Sequence, residues 1–257
     1  MRILCISDLH LPSNALREFR NEYSTNDFIN NIKDTVIQAN PDLVVSTGDI
    51  VWSNNIKKLS LIFRSFIPED IPIVATLGNH EFWEHTFENT LRKLEQQNLK
   101  DRNIFYLDLI GSVIIGGINF VGGTLFFDGS MRYSEDQVIT DWRAWNDWRI
   151  PEIEYRYREF NQYYVDMIHS NMKKGMPTVL ATHHVPHERL NGHEPSHYSF
   201  YTGMKDLVHT LPFDAQYNNY LICGHTHKRV IGEVVQGFMG VNVGSDYNNL
   251  KTYTLEV

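Results

Sequence analysis

The first hundred residues alternate between short apolar runs and stretches with helical spacing. The apolar runs predict three buried strands, at 2–7, 43–47 and 71–77. Between them, apolar residues recur at helical spacing over 28–37 and 56–66, and each of these helical patterns stops near a proline. This β-α-β-α-β order is typical of a sheet whose parallel strands are joined by helical crossovers.

The rest of the chain contains further strands around one long helix. A third helix is predicted over about 84–97, followed by short strands separated by glycine turns within 104–125. Residues 126–151 are polar and aromatic without a clear period, and 152–174 read as a long helix. Strand patterns then return at 178–182, 219–223, 229–235, 238–243 and 251–256. Because no repeat, low-complexity run or linker interrupts the pattern, we predict one domain over 1–257.

Composition and charge narrow the range of partners. The chain has 257 residues, 42% of them hydrophobic and 21% charged, as expected for a globular protein with a sizeable core. Its formal net charge is −8 and it has no run of lysine and arginine, which argues against long duplex nucleic acid as a partner. Bound divalent cations would reverse the charge locally, so a small anionic substrate remains compatible.

The two cysteines and the apolar segments bear on location. Cys5 and Cys223 both lie in strand-like runs, which predicts two buried thiols and no disulfide framework. The chain enters a strand at residue 2 and reaches a charge at Asp8, which leaves no room for the apolar region of a signal peptide. No stretch of about 18 apolar residues occurs. We therefore expect a soluble, cytoplasmic protein with no membrane partner.

Polar side chains follow the first two predicted strands. Asp8 and His10 come after the first strand, and positions i and i+2 of extended chain point the same way. Asp49 follows the second strand beside Gly48, and its two carboxylate oxygens could bridge two cations. The carboxyl ends of strands in open α/β sheets are where ligand-binding groups gather. Each segment alone fits an ordinary turn or helix cap equally well.

The third strand ends in an amide, an imidazole and a carboxylate in succession. Asn79 can bind a metal through its carbonyl oxygen, while the neighbouring His80 reaches a reacting group. His85 follows His80 by five residues, a spacing that turns it about 140° away on a helix. The pair therefore does not match the zinc-protease helix motif, and His85 is predicted to lie on a helix surface.

Four histidines follow two strands of the second half. His183 and His184 end the run at 178–182, and we predict His183 as the ligand and His184 as a residue that braces it. His225 and His227 follow the run at 219–223, and a His-x-His pair after a strand is a good ligand pair. The isolated His169 and His209 lie in helical patterns and are predicted to be ordinary surface or core residues.

The five segments together resemble the calcineurin-like metallophosphoesterase superfamily. The match runs in order from residue 8 to residue 227, through Asp8-x-His10, Gly48-Asp49, Gly78-Asn79-His80-Glu81, Thr182-His183-His184 and Gly224-His225-Thr226-His227. The resemblance implies an α/β fold, a four-layer α/β/β/α sandwich of two mixed β-sheets flanked by helices. It also implies two metal ions, one held by Asp8, His10 and His227 and the other by Asn79, His183 and His225, with Asp49 bridging both.

The cofactors implied are two divalent or trivalent transition-metal ions, and oxygen and imidazole ligands without sulfur suit manganese, iron or zinc. The function implied is hydrolysis of a phosphomonoester or phosphodiester of a small molecule or nucleotide, by attack of a metal-bound hydroxide on phosphorus. His80 would steady the transition state or protonate the leaving oxygen. Two alternatives are a nuclease, which the acidic charge opposes, and a catalytically silent interaction module, which the complete ligand set opposes.

The sequence indicates the residues that contact the substrate less clearly than it indicates the metal ligands. Three groups of side chains could reach a phosphorylated substrate, although ordinary packing or exposure is the preferred interpretation of each. Arginines could pair with phosphate, tryptophans could stack on a base, and histidines could lie on the pocket rim. These candidates are Arg132, Arg143, Arg149, Trp52, Trp83, Trp142, Trp145, His187, His193 and His197.

Overall fold

The structure is a computed structural model that describes residues 1–11, 25–134, 142–247 and 249–257. The strands of the described chain are β1 (Arg2–Ile6), β2 (Leu43–Thr47), β3 (Ile73–Thr76), β4 (Ile104–Tyr106), β5 (Ser112–Ile115), β6 (Ile118–Gly123), β7 (Thr178–Thr182), β8 (Asn219–Cys223), β9 (Val230–Val235), β10 (Phe238–Asn242) and β11 (Tyr253–Glu256). Its α-helices are α1 (Thr25–Ala39), α2 (Leu59–Arg64), α3 (Asn79–Phe82), α4 (Phe87–Asn98), α5 (Leu107–Ile110) and α6 (Ile153–Asn171).

The strands form two mixed sheets. The first has the order β11-β1-β2-β3-β4, in which β1 to β4 are parallel and β11 is antiparallel. The second has the order β5-β6-β7-β8-β10-β9, with parallel inner strands and antiparallel edge strands β5 and β9. The inner strands are buried at almost every position because both faces of each sheet are covered.

The two sheets pack face to face and the helices cover them. Cys5, Val45 and Val74 of the first sheet share a core with Phe120 and Ile222 of the second. A larger core contains the apolar faces of the helices, and α6 packs against β6. The predicted α/β architecture, two mixed sheets flanked by helices in a four-layer sandwich, is confirmed.

Two predicted elements were wrong in detail. The helix expected over about 84–97 is α4 and begins three residues later, at Phe87, because Glu84 has left-handed backbone and the Thr86 hydroxyl accepts the Asn89 N–H as the cap of α4. His85 therefore lies in a bend rather than on a helix surface. Part of the strand pattern in 104–125 is the short helix α5, which ends at Gly111 with φ 70°.

Other expectations agree closely with the structure. A 3-10 helix at Ser53–Lys58 leads into α2, so the helix predicted over 56–66 begins in 3-10 geometry. Cys5 and Cys223 are buried and free. Within the described ranges, none of the helices combines the length and the apolar character needed to cross a bilayer.

The carboxyl ends of strands from both sheets meet at one edge of the sandwich. The Asp8 N–H donates to the Gly48 carbonyl (3.0 Å), and the Gly224 N–H donates to the His183 carbonyl (3.1 Å). A buried carboxylate links the sheets near this edge, since Asp108 accepts the backbone N–H groups of Leu77 (2.8 Å) and Thr124 (2.9 Å). These links hold the five motif segments of the sequence together.

Candidate metal centre

Five of the seven predicted ligands have left-handed backbone. Their φ angles lie between 50° and 70°, a region that residues other than glycine adopt uncommonly: Asp8, His10, Asp49, His225 and His227. Each follows the carboxyl end of a buried strand directly or within a few residues. Such strain persists only where the surrounding structure enforces it, and it is typical of functional sites.

Two motif glycines permit the close approach of these segments. A Cβ atom on Gly78 would lie 2.1 Å from Asp49 Oδ1, and one on Gly224 would lie 1.9 Å from Ser7 Oγ and 2.4 Å from Asp8 Oδ2. The space next to both carboxylates therefore exists only because side chains are missing at these two positions.

The first group of ligand atoms comes from Asp8, His10 and His227. His10 Nε2 lies 3.4 Å from His227 Nε2, which lies 3.6 Å from Asp8 Oδ1. Asp49 Oδ2 is 4.0 Å from His10 Nε2. These side chains offer two imidazole nitrogens and carboxylate oxygens to a common space, which agrees with the set that the family resemblance implies for one metal ion.

The second group comes from Asn79, His183 and His225. Asn79 Oδ1 lies 2.8 Å from His183 Nε2 and 3.1 Å from His225 Nδ1. The other carboxylate oxygen of Asp49, Oδ1, is 3.5 Å from His183 Nε2. Asp49 thus faces both groups with different oxygen atoms, which is the arrangement required of a bridging ligand.

Backbone carbonyls determine which ring nitrogens of the second group carry hydrogen. His183 Nδ1 is 2.8 Å from the Thr47 carbonyl oxygen, and His225 Nε2 is 3.2 Å from the Tyr201 carbonyl oxygen. A carbonyl only accepts, so these two nitrogens donate. The opposite nitrogen of each neutral ring therefore presents a lone pair toward Asn79.

The Asn79 amide also presents an acceptor, its oxygen, to this space. Its Nδ2 donates to Asp147 Oδ1 at 2.7 Å, which leaves Oδ1 facing the two imidazoles. Three acceptor atoms then face one another in a buried space with no hydrogen between them. Buried acceptors without a donor are costly, and a cation between them removes that cost. The second group therefore fits a metal ion.

The electrostatics of the centre also suit a cation. Burial lowers the pKa of His10 and His183 well below the usual value, and nearby histidines lower it further. Burial lowers the pKa of His225 to about 3. Burial also raises the pKa of Asp8, and it raises that of Asp49 well above the usual value together with the charge of Glu81. His227 differs: burial lowers its pKa, but the hydrogen bond with Asp246 and the charge of Asp8 outweigh burial and raise it. Neutral imidazoles and buried carboxylates favour transition-metal binding.

Glu81 fixes the two loops that carry Asp49 and Asn79. Its carboxylate accepts the backbone N–H groups of Asp49 (3.1 Å), Ile50 (2.8 Å), Val51 (2.8 Å) and Gly78 (2.7 Å). Burial raises the pKa of Glu81 to about 7, while these N–H groups lower it. The sequence did not indicate a role for Glu81. The contacts of Glu81 hold the backbone of the loops that carry the predicted ligands Asp49 and Asn79.

Two further carboxylates that the sequence analysis missed support ligands. Asp147 accepts Asn79 Nδ2 and also the indole N–H groups of Trp83 (3.2 Å) and Trp145 (2.9 Å). Asp246 Oδ1 is 2.9 Å from His227 Nδ1. Asp246 follows strand β10, so the rule that selected the other strand ends could have found it. Asp147 has no such signal in the sequence.

His80 borders the first group, since one ring nitrogen lies within 4.8 Å of ligand atoms of His10 and Asp49. Its Nε2 is 3.6 Å from Asp49 Oδ2, and its backbone N–H donates to Asp49 Oδ1. The imidazole stacks on Trp83 with ring centroids 3.6 Å apart, and the Arg149 guanidinium lies 4.5 Å from the Trp83 centroid. Nδ1 of His80 has no hydrogen-bond partner in the described part of the chain. Stacking on Trp83 therefore orients the ring.

His184 supports the second group from behind. Its Nδ1 is 3.2 Å from the Thr124 carbonyl oxygen, and its ring centroid is 4.2 Å from that of His225. The structure thus brings His183 to Asn79 and packs His184 against the His225 ring.

A cavity of about 360 Å³ opens above the centre, with Asp49, Asn79, His80, His225 and His227 among its lining residues. Aromatic and polar side chains form its walls, including Trp83, Trp145, Asn191, His193, Tyr198 and Tyr247. Among its described lining residues there is no lysine or arginine. It will be called the catalytic pocket below.

Only some of the predicted substrate contacts line this pocket. Trp83, Trp145 and His193 do, whereas Trp52 packs edge-on against His80 and Trp83, and Trp142 packs against Tyr157 and Tyr201. The remaining candidates lie outside the pocket lining. Among the arginines, Arg149 pairs with Glu84, Arg143 lies over Trp148, and Arg132 lines a neighbouring cleft. Among the histidines, His187 lies near Asp206 and His209, and His197 is exposed. His209 lies in a 3-10 helix and is exposed, and His169 contacts Thr210.

Comparison with known proteins identifies the family. The family model of the calcineurin-like phosphoesterases matches residues 1–229. The chain belongs to this family. The resemblance found in the sequence is thereby confirmed, and the chain shares its fold with a solved dimetal phosphatase.

A dimetal phosphatase from Danio rerio matches at a TM-score of 0.51 and 13% identity, over 99% of this chain and 91% of that one. Another solved structure matches at a TM-score of 0.54 and 15% identity, over 99% and 98% of the two chains. A curated protein from Arabidopsis thaliana named probable inactive purple acid phosphatase 14 is 28% identical over 149 residues, or 49% of this chain. That match covers 36% of the plant protein, so this chain spans about a third of its length.

Proposed function

We propose that this chain is a dinuclear metal-dependent phosphoesterase that hydrolyses a phosphate ester of a small molecule or nucleotide. One observation carries the proposal: Asn79 Oδ1 and the lone-pair nitrogens of His183 and His225 face one another with no hydrogen between them. Asp8, His10 and His227 would hold one ion, Asn79, His183 and His225 the other, and Asp49 both.

Two bound transition-metal ions supply charge that neutralises the phosphoryl oxygens and makes a water molecule more acidic. Membership of the calcineurin-like phosphoesterase family supports this chemistry. Manganese, iron and zinc all suit a donor set of nitrogen and oxygen atoms.

His80 is the proposed proton donor. It lines the catalytic pocket next to Asp49, outside both ligand groups, and Trp83 holds its ring in place. In ester hydrolysis a bond forms from the water oxygen to phosphorus while the bond to the alcohol oxygen breaks. The attacking water gives up a proton to solvent as its bond to phosphorus forms, and the departing alcohol oxygen takes up a proton from His80, which then regains one from solvent. Burial and nearby histidines lower the pKa of His80 well below its usual value, so the negative phosphoryl group beside it must favour the protonated ring.

The pocket favours a small substrate. Its volume of about 360 Å³ suits a compact molecule, and Trp145 and Tyr198 offer aromatic surfaces to a base or another ring. The net charge of −8 argues against long nucleic acid. All seven ligand positions and His80 are present, which supports activity over a silent binding role.

Metal analysis combined with hydrolysis of aryl phosphates tests this proposal. The protein should bind metal and, with Mn²⁺, hydrolyse an aryl phosphate monoester or diester, and Asn79→Ala should weaken both properties. His169→Ala, a histidine outside the centre, should change neither. A protein that takes up no metal and is inert toward both esters would contradict the proposal.

A further inference from the structure

A second cavity adjoins the catalytic pocket and has the opposite charge character. It measures about 450 Å³ and shares Asn191, His193 and Ser199 with the catalytic pocket as common walls. Its described lining contains three cationic side chains and one acidic side chain, namely Arg132, Arg189, Lys205 and Glu188. It will be called the basic cleft.

The backbone brings the three cations together. The Lys205 N–H donates to Ser130 Oγ (2.8 Å), which joins the segment that carries Arg132 to the segment that carries Lys205. The Glu188 N–H donates to the Lys205 carbonyl (3.0 Å), which places Arg189 beside the same segment. The cluster is therefore fixed by hydrogen bonds between three separate parts of the chain.

The charges of the cleft are only weakly compensated. Arg189 Nη1 contacts the carbonyl oxygens of Glu233 (3.2 Å) and Val234 (3.3 Å), which hold the guanidinium without cancelling its charge. Lys205 lies 3.4 Å from Glu188, but both side chains are 56% exposed, and water and salt screen such a pair strongly. Arg132 is exposed at the rim. On a protein with a net charge of −8, this is a local concentration of positive charge.

The division of charge between the two cavities indicates what they bind. The catalytic pocket has carboxylates and histidines but no cationic side chain among its described lining residues, so its phosphoryl group depends on the metal ions. The basic cleft has cations but lacks the ligand groups. Arginine and lysine recognise phosphate through charge-assisted hydrogen bonds. A molecule that spans the common wall would place one phosphate in each cavity.

We infer that the basic cleft is a subsite for a second phosphate group of the substrate, so that the preferred substrate carries a phosphate besides the ester that is cleaved. Arg132 and Lys205 bind this phosphate from the rim, and Arg189 binds it from the wall. The inference rests on the proposed function, because the first phosphate must lie at the metal centre.

Binding of two matched nucleotides to the manganese-loaded protein tests this subsite without requiring turnover. Isothermal titration compares adenosine 3′,5′-bisphosphate with adenosine 5′-monophosphate. The bisphosphate should bind about 10-fold or more tightly than the monophosphate, as expected for one added charged hydrogen-bond contact. Arg132→Gln and Lys205→Gln should each remove most of this preference and leave monophosphate binding unchanged.

Arg92→Gln is the matched control, since Arg92 is an exposed arginine in a cleft between α4 and α6. It should preserve the preference for the bisphosphate. Equal affinity of the wild-type protein for both nucleotides overturns the subsite while leaving the metal centre intact. The same conclusion follows if Arg132→Gln and Arg92→Gln show the same preference for the bisphosphate. Absence of binding by both nucleotides overturns the subsite, whereas the proposed function is overturned only if the protein also takes up no metal and is inert toward aryl phosphates.

Discussion

Asp147 Oδ1 lies 2.7 Å from Asn79 Nδ2, and this hydrogen bond decides which atom of the Asn79 amide faces His183 and His225. Asp147 is buried and also accepts the indole N–H groups of Trp83 and Trp145. One carboxylate thereby connects a proposed metal ligand, the ring on which His80 stacks and a wall of the catalytic pocket.

Replacing Asp147 with alanine should weaken metal binding at the second group. Without its acceptor the Asn79 amide is free to rotate, and loss of such an outer partner typically costs about 10- to 100-fold in metal affinity. Competition with a metal-binding dye measures this affinity directly. Asp166→Asn, which changes an exposed carboxylate on α6, is the control. Equal metal affinity of Asp147→Ala and the wild-type protein would refute this role.

His80 should matter most for esters with poor leaving groups. His80→Ala should lower kcat by about 10²- to 10⁴-fold for an alkyl phosphate, because the departing oxygen needs a proton. The loss should be much smaller for a nitrophenyl ester, whose leaving oxygen is stable without one. Metal content should remain unchanged. A uniform loss for both esters would assign His80 a role other than proton donation.

Trp83 contacts His80 through its ring face and Asp147 through its indole N–H, and two substitutions distinguish these contacts. Trp83→Phe keeps a ring to stack on His80 but loses the indole N–H, whereas Trp83→Leu loses both. We therefore expect the leucine variant to have the lower kcat for alkyl phosphates, with KM little changed. Steady-state kinetics on the two variants separates the effects. Equal kcat values would show that stacking contributes nothing.

Glu81 should contribute to stability as well as to the position of the ligands. Glu81→Gln replaces one acceptor oxygen with an NH₂ group that must face backbone N–H donors. Leaving a buried donor without an acceptor costs about 1–3 kcal/mol in the free energy of unfolding. Urea denaturation of the metal-free protein measures this loss. Glu95→Gln, on the exposed side of α4, should leave the midpoint unchanged.

Asp108 links the sheets and should make stability depend on pH. Burial raises its folded-state pKa above the unfolded value, so the folded state binds the proton more tightly. Its contribution is greatest below the unfolded pKa and falls as pH rises through the folded pKa. The free energy of unfolding of the wild type, relative to that of Asp108→Asn, should therefore increase as the pH falls from neutral toward 4. Groups common to both proteins cancel in this difference, and a constant difference across the range would contradict the prediction.

The sequence predicted the strands and the strand-end ligands because both depend on local pattern. Asp49 and Asn79 each follow an apolar run beside a glycine, and parallel strands bring such ends together. Asp147 could not be predicted, since its role depends on contact with a residue 68 positions away along the chain. The start of α4 was predicted three residues too early, because the left-handed backbone of Glu84 and the cap at Thr86 that set its first residue leave no apolar pattern in the sequence.

The central claim is that Asp49 bridges two metal ions held by the two groups, and electron paramagnetic resonance of the manganese-loaded protein tests it most directly. Two Mn²⁺ ions that share a carboxylate are magnetically coupled, so the wild-type spectrum should show a coupled pair. Asp49→Ala should lose that coupling. A wild-type protein that shows only the six-line signal of isolated Mn²⁺ at saturating metal would contradict the dinuclear centre.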